Sequence, residues 1–179
     1  YKALTTDQYL TVNYILDDLA KDVYNKEATT FIVSGGAGTG KTVLGVYLMK
    51  LLIEAKSGNL VVEDDEVEHT VKEILKINET VEDLKIGLVI PMTSLRRTLK
   101  NVFKGIKGLD PKMVISPNDA SKEEYDLLIV DEAHRLRRRQ NLTQYKSFDD
   151  NNKRLGLDKN ATELDWIMKN SKYQIMFYD

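Results

Sequence analysis

The strongest constraint in this sequence is the stretch GGAGTGKT at residues 35–42, which satisfies the pattern G-x-x-x-x-G-K-[ST]. It lies between a short apolar run at 31–33 and a segment whose apolar residues recur at helical spacing. Glycines let such a backbone curl until successive N–H groups point at phosphate oxygens, and the following helix adds its positive end. The sequence therefore predicts a phosphate-binding loop between a buried strand and a helix.

Each residue of this loop has an expected role. Lys41 would reach the β- and γ-phosphates of a nucleotide, and the Thr42 hydroxyl would ligate Mg²⁺. The remaining positions would bind the nucleotide through the curled backbone: Gly36, Ala37, Gly38, Thr39 and Gly40. The alternative is a chance glycine-rich turn, which the flanking strand and helix disfavour.

Two carboxylates follow a second apolar run. Residues 127–130 (LLIV) precede Asp131 and Glu132. Acids at the carboxyl end of a buried strand stand at the edge where open α/β sheets bind ligands. Asp131 would hold Mg²⁺, directly or through water, and Glu132 would polarise the water that attacks the γ-phosphate. The alternative is a pair that only ends the strand, but the phosphate loop upstream favours a catalytic set of Lys41, Asp131 and Glu132.

The rest of the chain alternates between short apolar runs and helical patterns. Helices are predicted after Thr5, after Gly40, around 67–75, over 94–103, and from Asn160, where Glu163 follows as in a capping box. Strands are predicted at 31–33, 86–90, 112–115, 126–130 and 173–178, and the polar stretch 135–158 is predicted to be an irregular basic loop. This alternation predicts one α/β domain over residues 1–179 with a mainly parallel central sheet and helices on both faces.

Composition excludes several classes of protein. The chain has no Cys and two widely separated His residues, so disulfides, thiolate metal sites and histidine metal clusters are excluded. The longest mainly apolar stretch is too short to span a bilayer and contains Gly45 and Lys50. We expect a soluble, cytoplasmic protein that does not act at a membrane.

Charge is distributed unevenly although the net charge is only −2. An acidic segment occupies about 60–85, whereas 91–112 and 135–154 are basic. The basic segments are either an anion-binding surface or merely solvated side chains. If they bind nucleic acid, the expected contacts are Thr93, Ser94, Arg96, Arg97, Arg137, Arg138 and Arg139; Thr93 and Ser94 would otherwise cap the helix that follows.

With both motifs present, the sequence resembles the first RecA-like motor domain of superfamily 1 helicases, and more closely the Schlafen-like helicase/ATPase family of bacteria. Residues 4–8 (LTTDQ) are similar to the adenine-reading Q motif, and 89–93 (VIPMT) are similar to motif Ia. Residues 34–42 match the Walker A loop and 130–138 the Walker B segment. Residues 160–167 and 174–179 resemble the approach to motif III.

The resemblance implies a P-loop enzyme that binds ATP and Mg²⁺, hydrolyses ATP and acts on single-stranded DNA or RNA. It also implies a second RecA-like domain in cis, which would supply an arginine finger and is not part of this chain. Motif III would continue beyond Asp179 to a glutamine that senses the γ-phosphate. The 179 residues alone are therefore expected to be weakly active.

Three residues have two interpretations each. Gln8 fits a capping box with Thr5 but would also read adenine, which the resemblance favours. His134 is expected to orient Glu132 by a hydrogen bond and not to act as a general base. Trp166 is expected to pack in the core and not to stack on a base.

Two other functions compete with the helicase-like ATPase. One is a nucleotide-dependent switch or binding module that neither translocates nor unwinds, with the acidic segment as a protein-docking surface. The other is a small-molecule kinase, for which the sequence shows no acceptor-site signature. Stimulation of ATP hydrolysis by single strands would separate the first two.

Overall fold

The computed structural model describes residues 4–56, 65–81 and 84–179, except the side chains of 55–56 and 65–71. The helices are α1 (Thr6–Asn25), α2 (Lys41–Lys56), α3 (Asp65–Thr80), α4 (Thr93–Lys104), α5 (Pro117–Ala120), α6 (Tyr145–Arg154) and α7 (Glu163–Asn170). The strands are β1 (Thr29–Ser34), β2 (Ile86–Val89), β3 (Val114–Ile115), β4 (Tyr125–Val130) and β5 (Ser171–Tyr178). The strands form one five-stranded sheet in the order β1-β5-β4-β2-β3, and all its pairs are parallel. The predicted α/β fold is confirmed.

Side chains alternate between the two faces of the sheet, as the pleat requires. One face carries the larger core, in which Leu127, Ile129 and Phe177 pack with the buried residues of α1, α2, α3 and α4. The other face carries a smaller core, in which Leu128 and Val130 pack with residues of α5 and α7. The helices therefore cover both faces, as expected.

Gly45 allows α2 to lie close to the sheet. A Cβ atom at this position would come within 3.1 Å of Phe177 Cε2 and 3.3 Å of Ile129 Cγ2. Because such contacts are tighter than ordinary van der Waals packing, a larger residue would move α2 away from the sheet. This close packing holds the first turn of α2 beside the carboxyl ends of the strands.

The predicted strand at 31–33 lies at the edge of the sheet and is not buried as expected. β1 pairs only with β5 among the described strands. Phe31 and Val33 are half-buried against the larger core, whereas the Ile32 side chain on the opposite face is 72% exposed. Three consecutive apolar residues do not distinguish a central strand from an edge strand, which explains the error.

The prediction that 135–158 is irregular is wrong. A 3₁₀ turn covers Ala133–Arg135, and α6 occupies Tyr145–Arg154 with Phe148, Asn151 and Asn152 buried. The helix is bound by polar contacts: Arg154 Nη2 donates to Ser121 Oγ at 2.8 Å, and Asn151 Nδ2 donates to Asn118 Oδ1 at 2.7 Å. Because α6 buries so few apolar residues, hydrophobic periodicity gave no signal of it.

The last helix begins two residues later than its predicted capping box. Thr162 is the N-cap of α7 and Asp165 completes the box, so neither Asn160 nor Glu163 caps it. Trp166 is buried, packs on Phe148 with ring centroids 4.4 Å apart, and donates its indole N–H to Asn152. The expectation that Trp166 packs in the core is therefore confirmed.

Part of the predicted acidic segment lies outside the described residues, namely 60–64 and 82–83, and the side chain of His69 is also outside them. Between these gaps, α3 packs Ile74 and Ile77 into the larger core. None of the described helices is long and apolar enough to cross a bilayer.

Candidate nucleotide-binding site

The predicted catalytic and phosphate-binding residues meet at the carboxyl edge of the sheet. β5 lies between β1 and β4, with Ser34 opposite Tyr178 and Val130 opposite Met176. The phosphate loop follows β1, Asp131 and Glu132 follow β4, and Asp179 follows β5. Because parallel strands end at the same edge, three neighbouring strands deliver these groups to one place.

The glycines of the loop are required by its backbone. Gly38 and Gly40 have φ angles of +77° and +86°, which L side chains rarely adopt. A Cβ atom at Gly40 would also lie 2.5 Å from Gln8 Nε2. The Thr39 hydroxyl closes the turn by donating to the carbonyl of Gly36 at 2.9 Å. The loop is therefore curled as the pattern predicts, and α2 begins directly after it at Lys41.

Thr42 and Asp131, the two predicted Mg²⁺ ligands, are in contact. The Thr42 hydroxyl donates to Asp131 Oδ2 at 2.6 Å, and the Asp131 residue is only 1% exposed. Asp131 Oδ1 is buried and has no hydrogen-bond partner among the described residues. Burial raises the pKa of Asp131, against the effect of the Thr42 hydrogen bond. A cation would relieve this desolvated charge, and two hard oxygens are the ligands that Mg²⁺ prefers. The site fits the predicted metal.

Glu132 is held in an unusual backbone conformation beside two positive or hydrogen-bonding groups. Its φ of +52° is in the left-handed region, where strain for a non-glycine residue is often associated with function. Its Oε2 accepts from Arg135 Nε at 2.8 Å and lies 3.2 Å from His134 Nε2. His134 therefore lies where the predicted orienting role requires.

Lys41 is turned back onto its own loop. Its ammonium donates to the carbonyls of Gly35 and Gly36, at 2.5 and 2.9 Å, and to the carboxylate of Asp179. The Lys41 hydrogen bond lowers the pKa of Asp179 despite some desolvation. Asp179 is not among the site residues that the sequence predicts, although it follows an apolar strand as Asp131 does.

The capping-box interpretation of Gln8 is confirmed, whereas adenine reading by Gln8 stays a prediction. The capping box is present, since Gln8 Oε1 accepts from Thr5 N at 3.0 Å and Thr5 Oγ1 accepts from Gln8 N. The same side chain also donates from Nε2 to the carbonyl of Thr39 at 2.8 Å. The amide therefore caps α1 and lies against the phosphate loop at once.

The predicted nucleic-acid contacts divide into two groups. Three of the arginines are bound to protein acceptors: Arg96 to the carbonyl of Ile90 at 2.7 Å, Arg137 to the buried Glu163 at 2.7 Å, and Arg139 to Asp149 at 2.6 Å. Arg97 and Arg138 have exposed side chains. Thr93 and Ser94 are exposed in the first turn of α4, whose N-cap is Met92, so the interpretation of either as the cap is wrong.

The fold and the site define a helicase-type nucleotide-binding domain. The chain belongs to the family described as Schlafen group 3, DNA/RNA helicase domain, whose family model matches residues 28–179. Comparisons with curated proteins and with solved structures found no match. The matched range includes the phosphate loop, Asp131 and Glu132 but not Gln8. The predicted Schlafen-like helicase family is confirmed.

Proposed function

We propose that this chain is the ATP-binding and hydrolysing domain of a superfamily 1 helicase-like protein that acts on DNA or RNA, and that it corresponds to the first RecA-like domain. One observation carries the proposal: Thr42, at the start of α2, donates to a buried carboxylate whose second oxygen has no partner among the described residues. The hydrogen bond between Thr42 and Asp131 joins the end of the phosphate loop to the end of β4. A hydroxyl and a carboxylate so placed suit a nucleotide-bound Mg²⁺.

Nucleotide phosphates would lie on the curled backbone of residues 36–40 and at the N-terminus of α2. The N–H groups of the loop and the helix dipole favour an anion there. Lys41 adds a full positive charge at the same point, and Gln8 lies at the side of the loop where it would contact the base. Thr42 and Asp131 would hold Mg²⁺, which neutralises charge on the β- and γ-phosphates.

Glu132 is the proposed general base. Its carboxylate would take a proton from the attacking water, and Arg135 and His134 hold that carboxylate in place. The left-handed backbone at Glu132 turns the chain just after the buried Asp131, so that Asp131 would face the metal and Glu132 would face the attacking water. This division of roles between adjacent carboxylates supports hydrolysis and not binding alone.

Lys41→Ala is expected to weaken ATP binding by about 10- to 100-fold, because hydrogen bonds to charged groups are each worth about 1.5–3 kcal/mol. The fold should be retained, since Lys41 contributes a loop contact and no core packing. Isothermal calorimetry with Mg·ATP measures the effect. Lys50→Ala, in the same helix and paired with Glu54, is the matched control. Unchanged affinity in Lys41→Ala would contradict the assignment of the phosphate loop.

The proposed nucleic-acid contact is restricted by the structure to a smaller set of cations. Arg96, Arg137 and Arg139 already donate to protein acceptors, so each has fewer N–H groups left for a phosphate. Arg97 and Arg138 follow β2 and β4, which are adjacent in the sheet and end at the same edge. We propose that these two arginines bind the backbone of a single strand there.

Arg97→Ala and Arg138→Ala are each expected to reduce the slope of log affinity against log salt by about 0.7 for single-stranded nucleic acid. The loss of affinity should be the same for all nucleic-acid sequences, because phosphate contacts carry no base information. Fluorescence anisotropy over a salt series with mixed-sequence DNA and RNA measures it. Lys172→Ala, at the opposite end of β5, is the control. Identical slopes in all variants would favour the nucleotide-dependent switch that does not translocate.

A further inference from the structure

We propose that Asp179 competes with the terminal phosphate of the nucleotide for Lys41, and so sets how strongly the site prefers a triphosphate to a diphosphate. This inference rests on the proposed function of the phosphate loop. It concerns the nucleotide-free site, in which the carboxylate of Asp179 contacts the ammonium of Lys41.

All three N–H donors of the Lys41 ammonium have acceptors in the nucleotide-free site. An ammonium group has three N–H donors and no acceptor. In the structure they have three acceptors: the carbonyls of Gly35 and Gly36 and the Asp179 carboxylate. The Lys41 side chain is only 9% exposed, which leaves little room for a further partner. A phosphate oxygen that binds Lys41 must therefore displace one of these acceptors.

Asp179 is the charged acceptor of Lys41 and lies near Glu132. It is the one charged acceptor of the three, and Lys41 lowers its pKa, so it is an anion at neutral pH. One of its oxygens lies within 4.8 Å of ligand atoms of Glu132 and His134. Because Glu132 is the proposed base for water that attacks the γ-phosphate, Asp179 lies on the γ-phosphate side of Lys41. A diphosphate leaves that side vacant, whereas a triphosphate meets Asp179 directly.

The Asp179 carboxylate can leave Lys41 by rotation of its own side chain, which is 33% exposed. The end of β5 is anchored beside the loop, where Gly35 N donates to the Tyr178 carbonyl at 3.2 Å. Asp179 is the next residue, so this hydrogen bond holds its backbone beside the loop. His134 and Arg135 also lower the pKa of Asp179, so both attract the carboxylate once Lys41 is occupied. The two groups that receive it are the ones that hold Glu132, which connects triphosphate binding to the proposed base.

The test is the affinity of Asp179→Ala for Mg·AMPPNP, a triphosphate that is not hydrolysed, and for Mg·ADP, by isothermal calorimetry. Because the Asp179 carboxylate is partly exposed to solvent, which weakens its attraction to Lys41, its removal should tighten triphosphate binding only by about 2- to 5-fold. ADP affinity should be unchanged. Asp150→Ala, which removes an exposed carboxylate from α6, controls for net charge and should alter neither affinity. A purely structural defect would weaken the binding of both nucleotides and would not tighten the binding of the triphosphate alone.

A double-mutant cycle with Lys41→Ala tests whether Asp179 acts through that lysine. In the Lys41→Ala background, the further change Asp179→Ala should have no effect on triphosphate affinity. The competition would be overturned by any of three results. These are a gain in triphosphate affinity that persists in the Lys41→Ala background, an equal gain in ADP affinity, or weaker triphosphate binding in Asp179→Ala. If the wild-type chain binds neither nucleotide, the proposed function itself fails and the inference with it.

Discussion

Glu132→Gln is expected to lower the rate of ATP hydrolysis by about 10²- to 10⁴-fold, the usual contribution of a general base. A glutamine amide keeps the size of the side chain and its hydrogen bond from Arg135 but cannot accept a proton from water. ATP binding should persist, because Lys41, Thr42 and Asp131 are unchanged. The variant should therefore accumulate bound ATP and release little phosphate.

Single-turnover phosphate release and calorimetry, made on the same preparation, separate these two effects. Glu124→Gln is a suitable control, since Glu124 is an exposed carboxylate just before β4, at the opposite edge of the sheet from Glu132. If Glu132→Gln hydrolysed ATP within a few-fold of the wild type, the base would have to be another group. Asp179, which lies close to Glu132, would then be the first candidate.

The 179-residue chain alone is expected to hydrolyse ATP about 10³- to 10⁵-fold more slowly than a protein in which the proposed second RecA-like domain supplies an arginine finger. The structure supports this dependence. Three arginines that follow β4 are already bound to carboxylates: Arg135 to Glu132, Arg137 to Glu163, and Arg139 to Asp149. Arg138, the fourth arginine of this run, is exposed and is the proposed nucleic-acid contact, so we expect the arginine for the γ-phosphate to come from the second domain.

The comparison requires ATP affinity and turnover for the chain with and without the second domain. ATP affinity should be similar in the two proteins, since the proposed phosphate loop and both proposed metal ligands are within this chain. Turnover should differ by the factor above. Equal turnover would show that the second domain supplies no catalytic group, and would contradict the two-domain mechanism.

Short patterns of the sequence predicted most of the fold and the centre of the site. The glycines at 38 and 40 are required by the left-handed φ angles of a tight loop, so the pattern itself specifies the local backbone. Carboxylates that directly follow a buried parallel strand must likewise lie at the carboxyl edge of the sheet. These features are local, because each depends on residues that are neighbours in the chain.

The sequence patterns failed where burial came from polar contacts between distant residues. α6 is bound to the rest of the fold through Asn151 and Arg154, and neither gives an apolar period. Arg137 belongs to a basic run, but its partner Glu163 is far along the chain and only 1% exposed. A run of arginines looks the same in sequence whether its members face solvent or buried carboxylates.

By itself, the sequence determined that this chain is an α/β protein with a curled glycine-rich loop at the end of one strand and a carboxylate pair at the end of another, because curled glycine loops and strand ends are local consequences of residue type. Only the tertiary structure decided which charges are available. Because β5 lies between β1 and β4, it brings Asp179 to Lys41, and packing pairs Arg96, Arg137 and Arg139 with protein acceptors while Arg97 and Arg138 remain exposed. Electrostatic partners are chosen by distance in space, and the order of strands in a sheet is not written in any single stretch of residues.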